Sequence, residues 1–129
     1  MNGPTFLQSP AALLRRIPTD SELPMPTTQF DGVTVATQAS VYFDGRCVSH
    51  KLTFADGRIK TVGVMTNGVL DFTPSAPEVM ECVAGGCEYR LAGGDWQRCT
   101  PGEQFAVPAG TRFEVRVGAT PYHYICHVG

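Results

Sequence analysis

From Ala39 to the C-terminus, short stretches of alternating apolar and polar residues are separated by corners that contain glycine or proline. Side chains two apart in an extended chain share a face, so each stretch reads as a strand with one buried side. Val41-Tyr42-Phe43 runs into Asp44-Gly45; Arg46 to Phe54 and Arg58 to Met65 are joined by Asp56-Gly57; Asn67-Gly68 leads into Val69 to Thr73, with Leu70 and Phe72 on one face. Asp-Gly and Asn-Gly supply the positive φ of tight hairpin turns, which argues for antiparallel pairing. Pro74 to Pro77 interrupts the pattern; it resumes at Glu78 to Val83, Glu88 to Leu91, Trp96 to Cys99 and Tyr122 to Val128. Gly102 to Phe113 is a compact unit in which Phe105 and Val107 alternate, Pro108-Ala109-Gly110 turns, and Phe113, Val115 and Val117 alternate again. About nine or ten short strands and no long helix predict an all-β sandwich or barrel.

Residues 1–38 are different. Pro4, Pro10, Pro18, Pro24 and Pro26 lie among Ser, Thr and small apolar clusters that sustain neither period. We read residues 1–38 as a flexible proline-rich N-terminal arm and 39–129 as the barrel domain. Within the arm, Ala11 to Ile17 suits about two helical turns stopped by Pro18, with an unstructured tail as the alternative. At 129 residues and 43% hydrophobic, the chain has material for one domain with a core. A net charge of -2 gives no electrostatic reason for a nucleic-acid polymer or an anionic membrane as partner. No apolar run approaches the ~20 residues needed to span a bilayer. Five cysteines, an odd number with no Cys-x-x-Cys pair and no secretory leader read before them, point to a reducing, cytoplasmic compartment, where each serves as a small core hydrophobe.

Two spacings resemble the motifs of cupins, small jelly-roll barrels: Gly102, five residues, Pro108, one residue, Gly110, and Glu78, six residues, Gly85. The fold this implies is a single cupin-like jelly-roll β-barrel with an N-terminal extension. In metal-binding cupins the two motifs supply three histidines and a glutamate. Here the histidine positions hold Phe72, Pro74 and Phe113, and only Glu78 survives. One carboxylate cannot hold a transition metal against water. His50, His123 and His127 do not repair the loss, since His123 and His127 at i, i+4 stand about 13 Å apart along a strand. No metal cofactor is expected.

A narrower resemblance covers Tyr42 to His127. Tyr42-Phe43-Asp44-Gly45-Arg46, Ser49-His50, Lys60-Thr61-Val62-Gly63-Val64-Met65, Ala76-Pro77-Glu78 with Met80 and Gly85, Phe105-Ala106-Val107-Pro108 with Phe113, and Tyr124-Ile125-Cys126 are similar to the small cupin-fold pyrimidine/purine nucleoside phosphorylases. The resemblance implies a metal-independent dimeric enzyme. Phosphate, its co-substrate, would cleave the N-glycosidic bond of varied nucleosides to free base and ribose 1-phosphate.

Phosphorolysis develops positive charge on the ribosyl group, as glycoside hydrolysis does. It needs a cationic place for phosphate, a hold on the ribose and a partner for the departing base. Alternation with the cupin motif places Glu78, Met80 and Cys82 inside and Glu81 outside. Glu78 is expected to bind ribose hydroxyls or steady the ribosyl cation, against a wall of Phe72, Phe113 and Tyr124. Lys60 and Arg46 are the phosphate candidates and His50 the group for phosphate or leaving base. Their bland alternatives are a solvated strand edge for Lys60 and Arg46, a structural histidine for His50 and a turn or interface carboxylate for Glu78. Phe54, Phe105 and Trp96 are expected in the core; Arg112, Glu114 and Arg116 face solvent or a partner, and Val79 and Val83 a second subunit. A metal-free cupin that binds a small ligand without turnover is the alternative function.

Overall fold

The structure is a computed structural model that describes residues 25–129. The helical turns expected at Ala11 to Ile17 lie outside the described residues. Eleven strands form: β1 (Thr34–Val35), β2 (Ser40–Tyr42), β3 (Cys47–Thr53), β4 (Ile59–Met65), β5 (Gly68–Phe72), β6 (Glu78–Ala84), β7 (Cys87–Leu91), β8 (Gln97–Cys99), β9 (Gln104–Val107), β10 (Phe113–Val117) and β11 (Tyr122–Val128). All pair antiparallel. A seven-stranded sheet runs β1-β3-β4-β11-β6-β9 with β2 also on β3, and a four-stranded sheet runs β5-β10-β7-β8. The order is that of a two-sheet jelly roll; among the described residues no ladder joins the sheets into a closed barrel.

The core lies between the sheets. Cys47, Met65, Met80, Cys82, Phe105, Val107, Tyr122 and Tyr124 from the larger sheet meet Leu70, Cys87, Cys99, Phe113, Val115 and Val117 from the smaller. All five cysteines are buried and unpaired, as small core residues. The turn of the Gly102 to Phe113 unit is tied down where Gly110 N–H donates to the Pro74 carbonyl at 2.7 Å. That bond joins the two cupin-like segments and sets Phe113 and Glu78 near one mouth of the roll.

The outer face of the larger sheet is partly covered as well. Leu52 and Ile125 are only 4% and 3% exposed, yet they belong to this face and not to the inter-sheet core. With Phe30, Val35, Val62 and Val83 they line a groove of about 380 Å³. The stretch read as the end of the arm therefore docks on the sheet: Thr34 and Val35 pair with Thr53 and Leu52, and the Phe30 ring meets Phe54 edge-on at 5.3 Å.

Candidate active site

Glu78 opens β6, opposite Val107 on one side and Val128 on the other. It is half-buried on the inner face. Burial pushes its carboxyl above the usual range, and a hydrogen bond with the Cys126 thiol draws it part of the way back. Burial and the neighbouring carboxylate push Cys126 up to about 12, so it stays a thiol and donates to Glu78. Thr61 bonds to the same sulfur from β4. A row of polar groups thus crosses three strands of the inner face.

Beside this row, Tyr124 turns its hydroxyl toward β3, 3.5 Å from Cys47 Sγ and bonded to Ser49. Burial holds the phenol well above its ordinary value, so it stays neutral. Gly63 makes room for it: a Cβ there would sit 2.8 Å from the Tyr124 hydroxyl and 2.6 Å from the Val48 carbonyl. The aromatic wall forms on the opposite sheet. Phe72 stacks on Phe113 at 5.4 Å and 27°, Phe43 meets Phe72 edge-on at 5.4 Å, and Phe105 backs Phe113 at 6.1 Å. Phe113 and Tyr124 are 2% and 6% exposed, so they shape the wall from behind, whereas Phe72 and Phe43 are its more accessible members. Phe43 reaches that place at φ 53, in the left-handed region that costs a bulky residue about 1–3 kcal/mol.

Arg46 lies beside this wall. Its Nε donates to the Phe43 carbonyl at 3.2 Å, and a Cβ on Gly68, whose φ is 150, would come within 2.6 Å of its Nη1. The other two polar candidates are elsewhere. His50 and Lys60 share the outer face of the larger sheet with Val48, Leu52 and Val62, across the sheet from Glu78. His50 Nδ1 donates to the Ala36 carbonyl at 2.9 Å, a bond that holds the arm's end. Lys60 Nζ lies 2.6 Å from His127 Nδ1, and His127 Nε2 lies 2.9 Å from Glu81 Oε1. An ammonium only donates, so Nδ1 accepts and Nε2–H donates to the carboxylate. Glu81 also accepts the Thr27 N–H at 3.1 Å. Burial opposes its ionisation, but the bonds from Thr27 and His127 outweigh that and hold the carboxyl below its usual value.

The predicted residues therefore divide. Glu78, Phe72, Phe113 and Tyr124 share the inner face with Arg46 near its edge, while Lys60 and His50 do not join them. Phe43, Thr61, Ser49 and Cys126 belong to the inner set without having been singled out for chemistry. The signal for all four is parity along the strand or contact through a turn. Of the three aromatics expected in the core, Phe105 is there. Phe54 is partly exposed against Phe30, and Trp96 lies outside the smaller sheet, 4.5 Å from Arg90 and 4.0 Å from Arg116. Arg112, Glu114 and Arg116 do face outward: Arg112 pairs with Asp71, Glu114 with Arg90, and Arg116 with Glu88.

The positions where a metal-binding cupin carries histidines hold Phe72, Pro74 and Phe113, which offer no donor. No group of three or more His, Cys, Asp or Glu among the described residues could hold a metal ion. Among the same residues no helix is long and apolar enough to cross a membrane.

Comparison with known proteins converges on one family. A pyrimidine/purine nucleoside phosphorylase of Albidiferax ferrireducens is 56% identical over 106 residues, 81% of this chain and 100% of the relative. A crystal structure of an Acinetobacter sp. ADP1 protein of unknown function superposes with a TM-score of 0.75 at 36% identity, over 78% of this chain and 98% of that one. The EutQ protein of Clostridium difficile, at 16% identity and a TM-score of 0.52 over 64% of this chain and 68% of that one, shares the fold alone. Residues 37–128 match the model of the pyrimidine/purine nucleoside phosphorylase family, and the chain belongs to that family.

Proposed function

We propose that this protein is a nucleoside phosphorylase, a pentosyltransferase that uses phosphate to cleave purine and pyrimidine nucleosides to free base and ribose 1-phosphate. The observation that carries the reading is the family match over residues 37–128, together with a relative of that name spanned from end to end. The inner mouth suits the chemistry. A phosphate oxygen forms the bond to C1′, the C1′–N bond breaks, and its electron pair leaves with the base. In this reading the Glu78 carboxylate holds the ribose hydroxyls and faces the positive charge that develops on the ring. Phe72 and Phe43 offer flat apolar surface without donors or acceptors for base edges, which favours broad base tolerance.

Arg46 is the phosphate candidate of the original set that lies on this side. Lys60 and His50 are assigned to the outer face, where His50 holds the arm's end and Lys60 bridges β4 to His127 on β11. We place the enzyme in the cytoplasm as a homodimer, with Val79 and Val83 toward the partner, and with phosphate as co-substrate and no further cofactor. Incubation of the purified chain with uridine and adenosine, with and without phosphate, tests the function: base release that depends on phosphate is the expected result. No release from either would leave a metal-free binding domain as the better reading.

A further inference from the structure

A cation that none of the motifs marks also lies on the inner face. Lys51 follows Cys47 and Ser49 on β3 at two-residue steps, and both of those point inward, Cys47 to the Tyr124 hydroxyl and Ser49 to the same group. Its register partner on β4 is Thr61, and Thr61 in turn faces Cys126 on β11. Thr61 bonds to Cys126 and Cys126 to Glu78. The register row from Lys51 reaches Met80 on β6, and Glu78 stands one inward position further along that strand. Three strand spacings and a two-residue offset separate Lys51 from Glu78, roughly 16 Å between backbones. A lysine and a glutamate extended toward each other across that width would leave room for a sugar phosphate.

Most of the other cations among the described residues already have partners. Lys60 is bound to His127, and Arg58, Arg90, Arg112 and Arg116 to carboxylates. Arg46 donates to a carbonyl, and Arg98 stands in register with Glu88. Lys51 is exposed, and no hydrogen bond or ion pair engages its ammonium among the described residues. A phosphate dianion entering a face that carries the Glu78 carboxylate needs positive charge on the far side of the ribose.

We propose that Lys51 is a phosphate-binding residue of this site; the assignment rests on the phosphorylase reading above. The test measures binding of inorganic phosphate to the full chain by 31P NMR titration, with phosphate and nucleoside KM values measured in parallel. For Lys51→Met the expected result is at least a tenfold rise in phosphate Kd and KM, a nucleoside KM within twofold of the parent, and an unchanged melting temperature. Lys51→Arg should restore phosphate binding to within about threefold, and Lys60→Met should leave it unchanged. Parental phosphate binding in Lys51→Met, or no phosphate binding by the parent chain, would overturn the proposal. If the parent releases no base from nucleosides while Lys51→Met still loses phosphate, the phosphate site stands and the phosphorylase reading falls.

Discussion

Glu78 and Glu81 lie three residues apart on β6 and face opposite sides of one sheet. Both are poorly exposed carboxylates, yet they are shifted in opposite directions. Glu81 receives the Thr27 amide and the His127 imidazole, a set of donors that favours the charged form. Glu78 has a single thiol donor, and burial dominates. Satisfied carboxylates hold structures together; a carboxylate left short of donors in an apolar mouth is available to a substrate that brings its own hydroxyls. On the proposed reading, the mouth of the inner face around Glu78 serves chemistry and the outer face around Glu81 serves cohesion.

Glu78→Gln breaks the comparison most sharply. Phosphorolysis should fall by about 10²-fold in kcat/KM, the size of losing one preorganised electrostatic contact. The native fold should be as stable as the parent at pH 7, or more so. The sign follows from the raised carboxyl: the folded state holds the proton more tightly, so stability declines as pH rises from the ordinary carboxylate value through the folded one. The variant removes that decline, which thermal melts between pH 4 and 8 would show. A variant that stays folded with full activity would sink the role given to Glu78.

Gly63→Ala probes the same side through packing. The added methyl meets the Val48 carbonyl and the Tyr124 hydroxyl, and overpacking a core of this kind costs about 3 kcal/mol. A lowered midpoint in urea, with the loss reduced in a Gly63→Ala, Tyr124→Phe double variant, is the expected outcome.

On the outer face, Glu81→Gln should cost about 2 kcal/mol, because it weakens the bonds from His127 and the Thr27 amide. Its pH dependence runs opposite to that of Glu78. The lowered carboxyl contributes stability that is present above its ordinary value and lost as pH falls through the folded one. Urea midpoints of parent and variant should therefore converge in acid, while kcat/KM at pH 7 stays within threefold.

How far this division was legible in the sequence depended on the strand. On β6, the cupin motif marked Glu78 as inward, and alternation then placed Met80 and Cys82 inside and Glu81 outside, as found. On β10, the same rule put Phe113 in and Arg112, Glu114 and Arg116 out. On β3 and β4 it failed to choose a side. Val48 and Leu52 alternate as regularly as Cys47 and Ser49, because the outer face is itself covered near residues 27–35. With apolar residues on both faces, parity alone does not tell which is the core. Chemistry alone points to Lys60 and His50, whereas the register sets both on the face opposite Cys47, Ser49 and Lys51. The docked strand at Thr34–Val35 escaped for a related reason: two residues after a proline-rich stretch carry no period, and their place is set by tertiary contact with β3.

His50→Ala carries the smallest expected effect and tests the outer face directly. The ring nitrogen donates to a carbonyl of the strand-docked segment, and losing one such partly exposed bond costs about 1 kcal/mol. The midpoint in urea should drop accordingly, with the N-terminal side of β1 the first region to lose amide protection in hydrogen exchange. Phosphate and nucleoside KM should both stay at the parent values, since the imidazole stands on the far side of the sheet from Glu78. A rise in either KM without loss of stability would place catalytic contacts on the outer face, and the separation between a chemical and a cohesive side would fail at that residue.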